Sequence, residues 1–284
     1  MAILRDIRRR IRSIQSTEQI TKTMKMVSAA KLRRAQTAVE AARPYATHLR
    51  EVLQNLAQAS ADVLHPAFTR REVRSRLIVL IASDRGLCGA FNANLIRTAE
   101  ERMRETGTPT SLIIVGKKAN DYFRRRSVPI LGQKTDLGGR ADWKYAEETS
   151  RSILTRFLAG EFDEVDLVYT HFRTALTRNI VVEPYLPLGR DAGTEGRAAR
   201  DYLFEPSPGE ILARIVPYFL AMRLFIALAE SAASEHGARM VAMGSATKNA
   251  NELIQTLTLH MNRTRQATIT REIVEIVAGA EALR

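Results

Sequence analysis

Cysteine is almost absent from this chain of 284 residues, because Cys88 is the only one. A single thiol excludes an intrachain disulfide framework and is typical of a reducing compartment, so we expect Cys88 to be a small buried residue. Proline is also scarce at both ends, since none precedes Pro44 and none follows Pro217. Uninterrupted helices can therefore form at both ends of the chain. No apolar run approaches the roughly 18 residues that a membrane span needs.

Sequence patterns for catalysis and for metal or nucleotide binding are missing as well. The histidines lack metal-ligand spacing, and no Ser/His/Asp or Cys/His arrangement is recognisable. The turn that contains Gly86 and Gly89 does not match either phosphate-binding glycine pattern. We therefore predict no catalytic residue, no cofactor and no metal, and we expect Asp84 and Arg85 to form an ion pair or a turn cap. A nucleotide-dependent α/β enzyme that uses this turn stays open as an alternative.

Positive charge dominates the beginning of the chain. Residues 1–43 carry eleven Lys or Arg against three acids, which is a large part of the formal net charge of +12. Their apolar residues form two runs that each alternate spacings of three and four, as in a helix that packs on another helix: Leu4, Ile7, Ile11 and Ile14, and then Ile20, Met24 and Val27. The charge predicts an acidic partner or surface, and a solvated face of the coiled coil is the alternative. No aromatic residue precedes Tyr45, so base stacking is not supported, but a basic coiled-coil nucleic-acid-binding protein remains a second hypothesis.

The last third of the chain, from about residue 207 to 284, predicts one very long helix. Spacings of three and four again define a coiled-coil seam. Its members are Met240, Met243, Thr247, Ala250, Ile254, Leu257, Met261, Thr264 and Thr268, followed one residue out of phase by Ile269, Ile273, Ile276, Ala280 and Leu283. Because this seam is thin and partly polar, we expect the N-terminal helix to lie along it. We also expect residues 276–284 to extend beyond that helix.

The middle of the chain alternates short β-branched runs with helical segments, which is typical of a parallel sheet. The predicted fold class is α/β, with a long antiparallel coiled coil of the two terminal helices and an inserted Rossmann-like α/β domain. The corresponding segments are 1–65, 66–206 and 207–284. Strands are expected at 76–83, 111–115, 165–170 and 174–186, and helices at 92–105, 117–126 and 143–158. The glycine-rich loop at 189–200 has no predicted role.

Three stretches of sequence resemble the gamma-subunit family of F-type ATP synthases. They are ITKTMKMVSAAK at 20–31, SDRGLCGAFN at 83–92, and ATKNANELI at 246–254 together with NRTRQATITREI at 262–273. The stretches occur in the order expected for the family, and the resemblance covers the whole chain. No cysteine-bearing loop is inserted in the middle domain, so thiol control of the chloroplast type is not expected.

The resemblance implies a non-catalytic rotor shaft that couples proton flow through a membrane ring to ATP synthesis at the beta subunits. It implies as partners three alpha and three beta subunits, an epsilon subunit and the c-subunit ring, with membrane contact only through the complex, at the cytoplasmic face of the bacterial inner membrane. It also implies which residues contact the beta subunits: Met24, Lys25, Arg263, Arg265, Gln266, Thr270 and Glu272. Nucleic acid is not an expected partner under this interpretation.

Overall fold

The computed structural model of the chain describes residues 2–59, 65–175, 177–189 and 208–281. They form two long helices, three shorter helices, one short 3-10 helix and five strands. The elements are α1 (Ala2–Ala59), the 3-10 helix (Pro66–Phe68), β1 (Arg76–Ile81), α2 (Phe91–Thr106), β2 (Thr110–Val115), α3 (Lys117–Phe123), β3 (Ile130–Lys134), α4 (Trp143–Leu158), β4 (Glu164–Phe172), β5 (Arg178–Leu186) and α5 (Pro208–Glu281). The glycine-rich loop at 189–200 lies outside the described residues except for Gly189.

Residue contacts divide the chain into two compact units. The coiled-coil unit consists of Met1–Val27 and Met240–Arg284, and the α/β unit consists of Ser28–Arg239. Both α1 and α5 contribute residues to each unit. The segments predicted from the sequence, 1–65, 66–206 and 207–284, instead separate the two terminal helices from everything between them. These boundaries stay a prediction.

The five strands of the α/β unit form one sheet in the order β3-β2-β1-β4-β5. The first four strands run parallel, and β5 pairs antiparallel with β4. Strand β1 is buried along its whole length, as its apolar run predicts for the centre of a parallel sheet. The predicted α/β class is confirmed. Strand β3, at one edge, was not predicted.

Each face of the sheet packs against helices. One face packs α4, the C-terminal part of α1 and the N-terminal part of α5 around side chains such as Leu56, Phe157 and Leu220. The other face packs α2 and α3 around Leu95 and Phe123. This burial of both faces produces the three-layer arrangement of doubly wound α/β proteins.

Helix α1 continues through Pro44. Proline removes one intrahelical hydrogen bond and crowds the preceding turn, which costs about 3 kcal/mol. Buried residues on both sides of Pro44, among them Val39, Ala42 and Leu53, compensate by packing. Helix α5 begins with Pro208, a position in the first turn where proline loses no hydrogen bond, and it also contains Pro217.

Within the coiled-coil unit the two helices run antiparallel. The hydroxyl groups of Thr21 and Thr247 are 2.8 Å apart, and one turn further along α1 the side chain of Lys25 lies against Gly244. Increasing residue numbers along α1 therefore pair with decreasing residue numbers along α5. The seam predicted for α5 from Met240 to Thr268 is confirmed, because each of its members is buried or half-buried.

The seam predicted for α1 was partly wrong. Ile20 and Val27 are 57% and 51% exposed, whereas Thr21 is buried. A register that places Thr21 opposite Thr247 turns the neighbouring Ile20 towards solvent, since successive residues on a helix lie about 100° apart. The hydroxyl of Thr21 forms its hydrogen bonds inside the seam, so this polar side chain can be buried there.

Helix α5 continues past the point where α1 begins. In the register fixed by Thr21 and Thr247, Leu4 lies opposite Thr264, so the described residues of α1 provide no side chain to cover positions after about 268. Ile269 and Ile273 are accordingly exposed, not seam residues as predicted, and Ile276 is exposed as expected for a residue beyond the end of α1. Residues 282–284, the end of the predicted extension, lie outside the described residues.

One described helix is long and apolar enough to cross a membrane by length and composition alone, contrary to the sequence expectation. It is the part of α5 from Gly209 to Ala278, whose most apolar 18-residue window has a mean hydropathy of 1.9. Half of that window is buried inside the fold. Packing against the sheet therefore accounts for much of its apolar composition.

Candidate partner-contact surfaces

Met24 and Lys25 lie on α1 beside the polar part of the coiled-coil seam. Met24 is half-buried and Lys25 is exposed. Gly244 lies directly beneath the Lys25 side chain, because a Cβ placed on Gly244 would be 3.7 Å from Cε of Lys25. The aliphatic part of Lys25 crosses over α5 at this position while its ammonium group remains in solvent. A cation is thus presented at the surface of the coiled coil.

The C-terminal group of predicted contact residues is exposed on α5. Arg263, Gln266 and Thr270 follow one helix face with spacings of three and four, and Arg265 and Glu272 lie two turns apart on a neighbouring face. Ile269, Ile273 and Ile276 are interspersed with them, so this surface is both polar and apolar.

The structure does not bring the two groups of predicted contact residues together. Gly244, next to Lys25, and Arg263 are separated by nineteen positions of α5, which corresponds to about 28 Å at 1.5 Å per residue. They form two separate surfaces at different heights of the coiled coil.

In the α/β unit, α5 occupies the edge of the sheet at which doubly wound folds hold their ligands. That crevice lies at the carboxyl ends of the strands where the strand order reverses, here between β1 and β4. Ser231 donates a hydrogen bond to the carbonyl of Ile81 at the end of β1, and Ser234 donates one to the carbonyl of Thr170 in β4. A cavity of about 20 Å³ remains between α5 and the strand ends, and this is room for a single water molecule.

Asp84, in the glycine-containing turn after β1, holds two neighbouring segments. Its Oδ1 accepts a hydrogen bond from the backbone N–H of Lys117 at the start of α3, and its Oδ2 accepts one from the N–H of Gly138. The expected capping role of Asp84 is confirmed. A carboxylate of the chain itself therefore satisfies two backbone N–H donors at this edge of the sheet.

Arg239 of α5 holds the same turn from the other side. Its guanidinium donates to the carbonyl oxygens of Arg85 and Gly86 at 3.2 Å each and forms a 2.7 Å ion pair with Glu235. The side chain of Arg85 itself is exposed. The turn is thus attached to α5, and this geometry gives no support to the alternative in which it binds a nucleotide.

Two buried titratable groups accompany Arg239 on α5. Burial lowers the pKa of His236 to about 4, so its ring is neutral near pH 7, and its Nε2 lies 3.1 Å from the carbonyl oxygen of Gly139. Burial raises the pKa of Glu235, although the ion pair with Arg239 opposes that shift. Burial also raises the pKa of Cys88, which fits the structural role expected for it.

A second buried ionic group was missed by sequence reasoning. Glu230 of α5 is 3% exposed, and it accepts hydrogen bonds from Arg43 of α1 and contacts His171 of β4. A glutamate inside an apolar helical stretch was the available signal, but nothing in the sequence named its partners. Among the residues that the structure describes, no group of three or more His, Cys, Asp or Glu side chains is placed to hold a metal ion.

Comparison with known proteins identifies the class to which this architecture belongs. A sequence model described as ATP synthase matches residues 3–283. The chain is 50% identical over 284 residues to the ATP synthase gamma chain of Moorella thermoacetica and 48% identical over 283 residues to that of Desulforamulus reducens. Each alignment covers 100% of both chains. The chain belongs to the ATP synthase family, and within it to the gamma chains.

Solved structures agree with this assignment. A chain from the central stalk and c-ring structure of the Tetrahymena thermophila mitochondrial ATP synthase is similar with a TM-score of 0.65 at 25% identity, over 80% of this chain and 99% of that one. A chain of the Euglena gracilis mitochondrial ATP synthase shares the fold with a TM-score of 0.69 at 21% identity, over 99% of this chain and 95% of that one. The nucleic-acid-binding hypothesis gains no support from these matches.

Proposed function

We infer that this chain is the central rotor shaft of a proton-translocating F-type ATP synthase, in which it couples proton flow through the membrane ring to ATP synthesis at the beta subunits. The observation that carries the inference is identity of about half the residues to bacterial gamma chains over the entire length. The antiparallel coiled coil with exposed charged faces supports it, since such a pair can present different contacts to surrounding subunits as it turns.

Under this proposal the chain transmits rotation to the beta subunits and takes no chemical part in the reaction. ATP is made and hydrolysed on the beta subunits, and the gamma chain has no catalytic residue, cofactor or metal of its own. The filled crevice supports this assignment, because α5, Asp84 and Arg239 occupy the positions at which a ligand of an α/β enzyme would bind.

The proposed contacts with the beta subunits comprise two surfaces. The lower one is formed by Met24 and Lys25, and the upper one by Arg263, Arg265, Gln266, Thr270 and Glu272. All of these residues except Met24 are exposed, as a contact with another subunit requires. The exposed apolar residues Ile273, Val274 and Ile276 near the end of α5 would lie in an apolar collar of the alpha and beta subunits.

The proposed assembly contains three alpha subunits, three beta subunits, an epsilon subunit and the c-subunit ring around one copy of this chain. Its proposed place is the cytoplasmic face of the bacterial inner membrane, with membrane contact only through the complex. The bacterial origin of the full-length relatives and the c-ring named with the Tetrahymena structure support this proposal.

The deciding experiment is co-expression of the tagged chain with the alpha and beta subunits of its own source, followed by affinity purification and native mass spectrometry. We expect one copy of the chain per three alpha and three beta subunits. A matched control lacks residues 1–27, which supply one helix of the coiled-coil unit, and should fail to assemble. Recovery of the full-length chain without alpha and beta would refute the proposal, and salt-dependent binding of the chain to duplex DNA would then favour the nucleic-acid hypothesis.

A further inference from the structure

The hydrogen bond between Thr21 and Thr247 is a polar contact across the coiled-coil seam. Thr21 is 8% exposed, and the two hydroxyl oxygens are 2.8 Å apart. Each hydroxyl also lies within hydrogen-bond distance of a carbonyl of its own helix, Glu18 at 3.0 Å for Thr21 and Met243 at 2.8 Å for Thr247. The two hydroxyl protons can satisfy only two of these three contacts at a time. One hydroxyl therefore donates across the seam while the other donates to the carbonyl of its own helix.

This arrangement leaves no buried hydroxyl unsatisfied if the two helices separate. Each threonine can return its proton to the carbonyl of its own helix, as serine and threonine commonly do. The contact across the seam therefore adds little to stability. Its effect is directional, because a hydrogen bond requires two oxygens within about 3 Å at defined angles, whereas apolar contacts tolerate displacement.

The apolar pairs of the seam tolerate displacement of one helix along the other better than this hydrogen bond does. In the observed register Ile14 lies opposite Ile254 and Ile11 lies opposite Leu257. Aliphatic side chains of similar volume exchange partners at small cost. A single polar position is the established means by which coiled coils select one register among such alternatives.

We propose that the Thr21–Thr247 hydrogen bond is a positioning element that restrains sliding of the two helices within the coiled-coil unit, in addition to the Arg43–Glu230 pair that joins the same two helices in the α/β unit. Lys25 follows Thr21 by one turn and lies over Gly244, so the lower contact surface is placed directly by this pair. The pair thereby keeps Lys25 at a constant distance along the axis from the upper contact surface at Arg263. This functional consequence rests on the proposed rotor function, but the restraint on sliding does not.

The restraint is measured in the isolated full-length chain by pulsed electron paramagnetic resonance between spin labels on the two helices. Ser16 and Asn251 are exposed positions on α1 and α5 and can be replaced by cysteine for labelling. Cys88 is replaced by serine in all variants to remove the native thiol. The parent is expected to give one narrow distance distribution.

Two paired substitutions separate positioning from stability. Thr21→Val with Thr247→Val keeps the side-chain volume and removes the hydroxyls, so we expect a broadened distribution without loss of thermal stability. Thr21→Ser with Thr247→Ser keeps the hydroxyls and removes two methyl groups, so we expect a narrow distribution with a lower melting temperature. The matched control is Thr264→Val, since the Thr264 hydroxyl bonds to the carbonyl of His260 in its own helix. It should leave the distribution narrow.

A distribution as narrow in the double valine variant as in the parent would overturn the proposal and show that aliphatic packing alone fixes the register. Equal broadening by Thr264→Val would overturn it as well, because the effect would then belong to any seam threonine. In the assembled complex, the double valine variant should lose part of its ATP-driven proton pumping while hydrolysis is retained. Unchanged pumping with a broadened distribution would refute the functional consequence alone.

Discussion

Nδ1 of His171, at the end of β4, lies 2.6 Å from Oε2 of Glu230 in the first third of α5. The other oxygen of the same carboxylate accepts two hydrogen bonds from Arg43 of α1, at 2.9 and 3.3 Å. Arg43 also donates to the carbonyl of Phe172. One buried carboxylate therefore joins both long helices to the sheet within the α/β unit.

Replacement of Glu230 by glutamine should destabilise the α/β unit by about 2 kcal/mol, because the buried partners lose a charge-assisted acceptor. The free energy of unfolding of the full-length chain, from urea titration followed by circular dichroism, tests this expectation. Glu51→Gln is the control: the 3.6 Å pair of Glu51 with His48 is solvent-exposed, so the change should stay below about 0.5 kcal/mol. Equal effects of the two substitutions would mean that the buried carboxylate has no special role.

His236 predicts a pH dependence of stability. Its pKa is about 4 in the folded chain and about 6.5 when unfolded, so between these values the unfolded chain binds more protons. The free energy of unfolding should therefore fall as the pH decreases from 7 towards 4, by at most about 1.4 kcal/mol per pH unit from this residue. The loss stops below the folded pKa, where both states are protonated.

His236→Gln keeps an N–H donor for the carbonyl of Gly139 but does not titrate, so the variant should lose less stability between pH 7 and pH 5 than the parent. Glu235 faces the same region, and its raised pKa acts in the opposite direction. It is present in both proteins, so the difference between them isolates His236. Parallel pH profiles would show that His236 titrates in the folded chain as it does in water.

Gly244 offers a test of the coiled-coil unit. A Cβ at this position would meet the Lys25 side chain at 3.7 to 3.9 Å, which is ordinary contact. Gly244→Ala should therefore stabilise the chain by about 0.5–1 kcal/mol, the usual gain inside a helix. Gly244→Leu is the matched comparison, since a larger side chain must displace Lys25. If Gly244→Ala instead lowers the melting temperature in thermal unfolding, α5 needs a glycine at this position.

The upper contact surface is tested by Arg265→Ala combined with Gln266→Ala in the assembled complex. If these residues contact the beta subunits differently at different rotor angles, their removal should lower ATP hydrolysis and ATP-driven proton pumping together. Both rates are measured on the same membrane vesicles. Gln255→Ala, an exposed position on the same helix, should change neither rate. If the double variant keeps wild-type rates in a verified complex, these residues are exposed helix surface and do not make the proposed contacts.

The lower contact surface should respond differently. Lys25→Glu reverses the charge of an exposed side chain next to the seam, and we expect it to lower pumping more than hydrolysis by weakening coupling. The ratio of the two rates is the measured quantity. Arg12→Glu, the same charge reversal at an exposed site on the same helix, should leave the ratio unchanged. A Lys25→Glu complex with an unchanged ratio would contradict the proposed contact.

The sequence was most informative where a repeating pattern coincided with burial. The α5 seam from Met240 to Thr268 was predicted correctly because its spacing of threes and fours persists over eight turns. The same spacing rule failed for Ile20 and Val27. The rule considers only apolar residues, whereas the seam here passes through the polar residue Thr21. Strand β3 was missed because its residues alternate only between exposed and half-buried, with Gly132 in the middle.

Contacts between distant residues were beyond sequence reasoning. The hydrogen bond from Ser231 to Ile81 joins residues 150 positions apart, and small polar side chains on a helix give no sign of such partners. The same holds for Arg239, whose carbonyl acceptors lie in the turn at 85–86. The contact residues from Met24 to Glu272 came from family resemblance, and the chain by itself contains no subunit against which to test them.

The crevice filled by α5 changes how the sheet can respond to its surroundings. A soluble ligand occupies its protein to an extent set by its affinity and its concentration, and a domain that has lost its ligand can open. Residues 231–239 are covalently part of the chain, so their local concentration cannot be lowered by dilution or by competition. The α/β unit has in effect a ligand that cannot dissociate. Its stability should thus be insensitive to the concentration of nucleotides in the cell, which rise and fall with the activity of the enzyme that it serves.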